Sequence, residues 1–161
     1  MSVNSFQPHI LVLPEDDADR QLANGFLLEV DWMKQRQMQV LNEVGGWIAL
    51  LECFKSVHIK EMERCTYRFM VLLIDFDQDK DRLEKAKKFI PENLKERVFV
   101  LGSWSKPEDL KAGRSLETVG RELARECREE TDKTWEHNLL RHNAGELKRL
   151  RQIVRPILFH S

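Results

Sequence analysis

The sequence is poor in the residues that mark several classes of protein. It has only three cysteines (Cys53, Cys65 and Cys127), an odd number without the spacing of a zinc site. They indicate buried or incidental thiols in a reducing compartment. The N-terminal segment lacks a basic region, and its apolar run is too short for a signal peptide or a membrane span. We therefore expect a cytoplasmic protein with no membrane association.

An excess of one charge is also lacking. Lys and Arg number 26 against 27 Asp and Glu, so the formal net charge is −1. Contact with a polyanion would therefore depend on a local basic patch. The C-terminal tail holds such an excess, consisting of Arg141, Lys148, Arg149, Arg151 and Arg155. These cations either grip a nucleic-acid backbone or form a solvated helix face.

Neither internal repeats, linkers nor low-complexity segments occur. With 161 residues, 42% of them apolar, the chain suits a single domain over residues 1–161. It also lacks the pattern G-x-x-x-x-G-K-[ST], which cradles the phosphates of ATP in P-loop enzymes. The sequence therefore contains no ATPase motif.

Strand and helix patterns alternate along the chain. Short apolar runs predict four strands, at 9–13, 37–46, 68–76 and 96–103. Helical spacing of apolar residues predicts helices at 16–30, 46–56, 79–90, 114–127 and 134–159. The last of these has a break at the Asn-Ala-Gly of residues 143–145.

This alternation predicts the fold class. Strand–helix units at such spacing favour an α/β fold with about four mainly parallel strands, right-handed crossovers and helices on both faces. After Arg68 the third strand has no polar residue before its acidic end, which is typical of a strand covered on both faces. We expect an α/β core at 9–102 and a helical extension at 103–161.

Two groups of acidic residues follow the first and third strands. The first contains Glu15, Asp16, Asp17 and Asp19, and the second contains Asp75, Asp77, Asp79 and Asp81. In parallel α/β sheets ligands bind beyond the carboxyl ends of the strands, and strands one and three are commonly neighbours. Converging carboxylates repel one another unless a cation is present, and hard oxygen ligands favour Mg²⁺ or Mn²⁺.

Helix capping is the alternative explanation for these acids. Asp favours the N-terminal end of a helix, where its side chain accepts backbone N–H bonds and complements the dipole. We expect Asp16 or Asp17, and Asp79 or Asp81, to act in this way. Capping does not explain why Glu15 occupies the end of the first strand.

The order of these elements resembles the Toprim domain, which topoisomerases, DnaG-type primases, OLD-family nucleases and small RNA-maturing nucleases share. Glu15 ends the first strand, Asp19 follows it four residues later, and Asp75 and Asp77 form a D-x-D after the third strand. The resemblance covers residues 9–102. It departs at Asp16, where the family has glycine.

The resemblance implies a Toprim-like Rossmannoid fold and phosphodiester chemistry with Mg²⁺ or Mn²⁺. Glu15 would act as a metal ligand or as a general acid and base. Asp19, Asp75 and Asp77 would be metal ligands, and we include Asp79 from the same acidic run. The metal would lower the pKa of a bound water and neutralise charge on the phosphoryl group.

Hydrolysis is the Toprim reaction that the sequence favours. The single tyrosine, Tyr67, precedes the third strand at the end away from the acids, so a topoisomerase intermediate is not expected. A primase is not expected because no template-binding domain is present. Lys106 and Lys111, after the fourth strand, are candidates for catalytic cations or are solvated loop lysines. Either His137 or His142 would be a general acid if the C-terminal helix covered the strand ends, and otherwise a packing residue.

The leading hypothesis is therefore a metal-dependent nuclease that acts on DNA or RNA. OLD-like systems pair a Toprim domain with an ATPase, so a separately encoded ATPase partner is expected by analogy. Homo-oligomerisation is left open. The alternatives are a regulatory module that binds a metal or a partner without catalysis, and a receiver-like domain phosphorylated at Asp75. Receivers require a lysine after a fifth strand, which this sequence does not provide.

Overall fold

Four parallel strands form the centre of the molecule, for which a computed structural model describes residues 2–159. The strands are β1 (His9–Pro14), β2 (Met38–Val40), β3 (Arg68–Leu73) and β4 (Val98–Leu101). The helices are α1 (Asp17–Leu28), α2 (Trp47–Cys53), α3 (Ile59–Arg64), α4 (Arg82–Lys87), α5 (Leu116–Glu129) and α6 (Ala144–Leu158). Short 3₁₀ turns occupy Trp32–Gln37, Glu92–Leu94, Pro107–Leu110 and Arg141–Asn143.

The strand order is β2-β1-β3-β4, with every neighbouring pair parallel. The chain moves from β1 outward to β2, then returns to β3 on the other side of β1 and continues to β4. The order therefore reverses between β1 and β3. In doubly wound sheets this reversal opens a crevice at the carboxyl ends of the two strands.

Alternating strand residues build an apolar core on each face of the sheet. Ile10, Val12 and Val71 belong to the core shared with α1, α5 and α6. Leu11 and Leu72 belong to the opposite core, which α2, α3 and α4 cover. The molecule is a three-layer α/β Rossmannoid, as the sequence predicts.

Close contact between α1 and α5 depends on two glycines. A Cβ atom on Gly120 would lie 2.0 Å from the carbonyl oxygen of Leu22, and one on Gly25 would lie 2.0 Å from that of Glu117. Any side chain at either position would therefore push the helices apart. This packing fixes α1, and with it the first acidic group, against the sheet.

Side chains near the start of α6 occupy the outer edge of β4. Asn143 Oδ1 accepts a bond from the Gly102 N–H at 3.1 Å, and its Nδ2 donates to the Gly102 carbonyl at 2.9 Å. Glu146, itself buried, accepts the Val100 N–H at 2.9 Å. These bonds satisfy backbone groups that another strand would otherwise pair with. The sheet thus ends at β4, because these side chains cover its outer edge.

The predicted helix at 134–159 is wrong in its first part. Residues 131–140 form turns, and α6 starts at Ala144, inside the predicted break. The buried Glu126 carboxylate accepts the N–H groups of Thr134 and Trp135, which gives these turns partners outside a helix. Such long-range partners are invisible in the local hydrophobic pattern.

Further boundaries differ from the predicted ones. The strand predicted at 37–46 spans only Met38–Val40. The helix predicted at 79–90 spans only Arg82–Lys87, and the turn before it is held by the Asp79 side chain, which accepts the Asp81 N–H. The helix predicted at 46–56 continues instead to Arg64, through a π-helical turn at Phe54–His58 that joins α2 to α3. Among residues 2–159, no helix is both long and apolar enough to span a membrane.

Candidate functional site

Glu15 joins β1 to β3 at the point where the strand order reverses. Its N–H donates to the Leu73 carbonyl at 2.8 Å, and its carbonyl accepts the Gly45 N–H at 2.8 Å. Its side-chain Oε1 accepts the N–H of Asp75 at 2.8 Å. Glu15 is therefore bonded to β3 and to the segments that follow β2 and β3, and the two acidic groups of the sequence meet at this residue.

Asp16 and Asp19 belong to the first turn of α1 but have different roles. Asp16 is the N-cap, and its Oδ1 accepts the N–H of Asp19 at 3.0 Å, which confirms the capping prediction for this residue. Asp19 is 0% exposed, and its ionised carboxylate oxygens would accept no hydrogen bond from the described residues. The neighbouring Asp16 carboxylate is itself an acceptor, so the two can bond only if one is protonated.

Asp75 and Asp77 face different surroundings although they form one D-x-D. Asp75 follows β3 and is half-buried, and its Oδ1 accepts the N–H of Asp77 at 2.9 Å. The left-handed backbone of Asp77 turns the chain at this point, and the Asp77 side chain is 80% exposed. The pair therefore contributes one carboxylate to the interior and one to the surface.

Glu15, Asp16, Asp19 and Asp75 form what we call the carboxylate cluster. Burial raises the pKa of Asp19 well above its usual range, and the other carboxylates of the cluster raise it further. Burial also raises the pKa of Glu15, although the bond from the Asp75 N–H opposes this shift. The pKa of Asp75 is raised by burial as well, with added repulsion from nearby carboxylates. The cluster therefore resists ionisation and would gain from a bound cation.

The donor chemistry of the cluster suits Mg²⁺ or Mn²⁺. All the side-chain atoms of the cluster that could bind a cation are carboxylate oxygens, and neither oxygen of the buried Asp19 accepts a hydrogen bond from the described residues. Within residues 2–159, however, no group of three or more His, Cys, Asp or Glu side chains is arranged so that it could hold a metal ion. Glu15 and Asp16 point toward backbone N–H groups instead. A cation would therefore have to draw the carboxylates together by side-chain rotation.

Arg82, which the sequence motifs do not single out, is the cation beside the cluster. Its Nη1 donates to the Asp75 carbonyl at 2.9 Å, and its guanidinium lies 4.4 Å from the ring centre of Trp47. Its charge counteracts the raised pKa values of Glu15 and Asp75. In the sequence, Arg82 lies among other charged residues of a predicted helix, and only the acids immediately before it indicate a special role.

The other predicted cations do not contact the cluster. Lys106 and Lys111 are both exposed, and neither forms an ion pair with a carboxylate within residues 2–159. Lys106 does follow Ser105, whose hydroxyl accepts a bond from the Gln78 side chain at 3.4 Å. Its loop therefore adjoins the turn that contains Asp77.

Asp79, predicted as a metal ligand, has local partners. Its Oδ1 accepts the N–H of Asp81 at 2.9 Å, and its Oδ2 pairs with Lys85 at 3.1 Å. The bond to the Asp81 N–H lowers the pKa of Asp79, and Lys85 lowers it further. Both carboxylate oxygens of Asp79 are thus engaged by partners in the turn before α4 and in α4 itself.

An aromatic group separates the acids from α6. The ring centre of His142 lies 4.7 Å from that of Phe76 and 5.3 Å from that of Trp104. Phe76 stands between Asp75 and Asp77 in the sequence. Neither ring nitrogen of His142 has a partner in hydrogen-bond geometry among residues 2–159. The C-terminal segment thus does cover the strand ends, but it presents His142 as a packed ring.

Comparison with family models, with curated proteins and with solved structures finds no match for this chain. Evidence for function therefore comes from the fold and the carboxylate cluster.

Proposed function

We propose that the carboxylate cluster binds a divalent cation, Mg²⁺ or Mn²⁺, and that the protein is a Toprim-like hydrolase of nucleic-acid phosphodiesters. The observation that carries this proposal is Asp19, a fully buried carboxyl group that receives no N–H bond from the described residues and whose side-chain hydrogen-bonding neighbour is another acid, Asp16. Burying an unpaired carboxylate is costly, and structures retain one where a proton or a cation compensates it.

The placement of the other acids supports a ligand at this point. Glu15 and Asp75 follow β1 and β3, the two strands between which the order reverses. Ligands of doubly wound sheets bind in this crevice. The left-handed conformations of Asp77 and Gln78 place backbone strain in the same turn, which is typical of functional sites.

Hydrolysis of a phosphodiester forms a bond from water oxygen to phosphorus and breaks a bond from phosphorus to the leaving oxygen, which takes up a proton. A bound Mg²⁺ would supply a water of lowered pKa and offset charge on the phosphoryl oxygens. Glu15, whose raised pKa brings it nearer to neutral pH, is suited to exchange a proton in this reaction. Asp19 and Asp75 would hold the cation.

The receiver-like alternative fits the geometry less well. A receiver has a fifth strand beside β4, followed by a lysine that contacts the phosphoacceptor. Within residues 2–159 the sheet has four strands, and Asn143 and Glu146 occupy the β4 edge. Arg82 is the cation nearest Asp75, and it comes from α4.

Thermal unfolding with and without Mn²⁺ tests the proposed cation site. We expect Mn²⁺ to raise the melting temperature of the wild type, because a ligand that binds only the folded state stabilises it, by about 2.7 kcal/mol at 100 times the dissociation constant. Asp19→Asn and Asp75→Asn should abolish this rise. Asp17→Asn is the matched control, since Asp17 bonds to Arg20 and Gln21 on the exposed side of the same helical turn.

Cleavage assays separate catalysis from binding. Single- and double-stranded DNA and RNA are incubated with Mg²⁺ or Mn²⁺, alone and with candidate ATPase partners. We expect Glu15→Gln and Asp75→Asn to abolish cleavage while Asp17→Asn retains it. An equal Mn²⁺ response in wild type and Asp19→Asn would refute the cation site. Metal binding without cleavage of any substrate would favour the non-catalytic regulatory module instead.

A further inference from the structure

The guanidinium of Arg82 is held rigidly at the mouth of the carboxylate cluster. One of its faces lies against the Trp47 ring, 4.4 Å from the ring centre. Its Nη1 is fixed by the Asp75 carbonyl at 2.9 Å, and its side chain is only 13% exposed. An arginine restrained in this way loses little conformational entropy when it binds a ligand.

Part of the hydrogen-bonding capacity of this guanidinium is unused. Nη2 forms no hydrogen bond with the described residues, and its nearest carboxylate, that of Asp77, is 4.0 Å away. Nε is buried and also lacks a partner. Arginine presents five N–H donors in a planar fork, so satisfied arginines are normally bonded on more than one edge. Nη2, unlike the buried Nε, is therefore available to an acceptor from outside the chain.

The described carboxylates around Arg82 do not supply an acceptor for Nη2. Asp77 is the one carboxylate in ion-pair contact with Arg82 within residues 2–159, and it is 80% exposed and loosely paired. Arg82 faces Glu15 and Asp75 as well, but it contacts Asp75 through the backbone carbonyl. Among the described residues, several carboxylates thus lie near Arg82, but none forms a hydrogen bond with its guanidinium.

We propose that Arg82, seated on Trp47, binds a phosphate oxygen of the substrate beside the carboxylate cluster. This inference rests on the proposed function for the nature of the substrate. The planar guanidinium matches two oxygens of a phosphate group, whereas a lysine would supply a single point charge. Trp47 fixes the plane of the fork, and the opening of the Asp77 contact frees Nη2 for the phosphate.

The inference assigns separate tasks to the acids and to the arginine. The acids hold a cation, and Arg82 holds an anionic oxygen that need not touch the cation. Loss of Arg82 should therefore weaken phosphate binding without removing the response to metal. Loss of Asp19 should do the opposite. This separation allows the two proposals to fail independently.

Calorimetric titration with inorganic phosphate, with and without Mg²⁺, measures the proposed contact. We expect Arg82→Gln to weaken phosphate binding at least tenfold and Arg82→Lys to weaken it less. Lys85→Gln is the matched control, because Lys85 lies on the same helix and pairs with Asp79. Its phosphate affinity should equal that of the wild type. Trp47→Leu keeps the charge but removes the stacking surface, and we expect an intermediate loss.

The outcomes distinguish the possible failures. Equal phosphate affinity in wild type and Arg82→Gln would overturn the inference, as would a wild type that binds no phosphate under either condition. If Arg82→Gln does not fold, as judged by circular dichroism, unchanged phosphate affinity in a folded Trp47→Leu variant would overturn it. Phosphate binding that depends on Arg82 in a protein without any Mg²⁺ or Mn²⁺ response would support the inference and refute the cation site.

Discussion

At the scale of single residues, Asp19 has the most unusual environment in the described chain. Burial raises its pKa, the neighbouring carboxylates raise it further, and no N–H group of the described residues donates to it. A residue with only a structural role at this place would be more stable as an uncharged side chain. The cost of retaining the carboxylate is therefore the physical signature of a binding site.

Stability without metal should depend on pH through Asp19. Because its folded-state pKa is raised above the ordinary value of 3.8, the folded protein holds the proton more tightly than the unfolded one. The free energy of unfolding therefore falls as pH rises through the raised pKa, by about 1.4 kcal/mol for each unit of pKa difference. Asp19→Asn should remove this dependence and raise the melting temperature at neutral pH in a chelating buffer.

Melting curves of wild type and Asp19→Asn between acid and neutral pH measure this effect. Asp17→Asn again serves as the control, and it should not gain stability, because it loses the bonds from Arg20 and Gln21. A destabilised Asp19→Asn variant would contradict the interpretation of Asp19 as an uncompensated carboxylate.

His142 should produce a pH dependence of opposite sign. Burial lowers the pKa of His142 below its ordinary value of 6.5, so the folded protein favours the neutral ring. The stability that this residue contributes is present above pH 6.5 and is lost as pH falls through the lowered pKa. His142→Phe keeps an aromatic ring against Phe76 and Trp104, and it should lessen the loss of stability below pH 6.

Melting temperatures at pH 7 and pH 5 test this expectation when the variant is compared with the wild type. His137→Gln is the control, since His137 is exposed and lies on the preceding turn. An unchanged pH profile in His142→Phe would mean that the ring tolerates protonation where it lies.

At the scale of elements, the crossing of α1 and α5 determines where the first acidic group lies. Gly120 allows the helices to approach until a Cβ would meet the Leu22 carbonyl at 2.0 Å. The same contact seats α1 on the sheet, and Asp19 lies in the first turn of that helix. Site geometry and helix packing are thus coupled through backbone contact.

Gly120→Ala should therefore destabilise the protein by about 1–3 kcal/mol, the usual cost of forcing extra atoms into a packed interior. Gly145→Ala is the matched control, because Gly145 also lies in a helix but a Cβ added there would enter open space. That variant should be neutral or gain up to about 1 kcal/mol from helix propensity. Denaturant unfolding measures both, and equal stabilities would contradict the packing argument.

At the scale of the whole molecule, positive charge is spread and largely paired. Arg151 bonds to Asp132 at 2.7 Å, and Arg149 bonds to Glu146 at 2.8 Å. The C-terminal basic residues that the sequence offered as a nucleic-acid grip are thus partly engaged within the fold. Lys148 is exposed and has no ion pair among residues 2–159.

A large groove formed by the described residues lies away from the carboxylate cluster. It has a volume of about 820 Å³ and runs along α6, where Arg151 and Asp132 line it together. Its mixed and mutually paired charges give it no clear preference for an anion. Buried polar atoms without a hydrogen-bond partner, as at Asp19 and at Nε of Arg82, are the better guide to function here.

The sequence by itself determined the strands and most helices, and it placed the candidate site residues at the carboxyl ends of the strands. Short apolar runs and the helical spacing of apolar residues reflect burial, so the four strands and most helices follow from them. Parallel strands place their carboxyl ends at one edge, and this rule brings Glu15 and Asp75 together as predicted. Asp16 as the N-cap also follows from local chemistry.

Only the tertiary structure decided which polar groups are compensated. The turns at 131–140 depend on Glu126, and the β4 edge depends on Asn143 and Glu146, all partners distant in sequence. The same holds for Asp19 and Arg82, because burial and the lack of a partner are properties of the packed surroundings. A sequence pattern records where a side chain is placed along the chain, whereas its charge state depends on everything that packs around it.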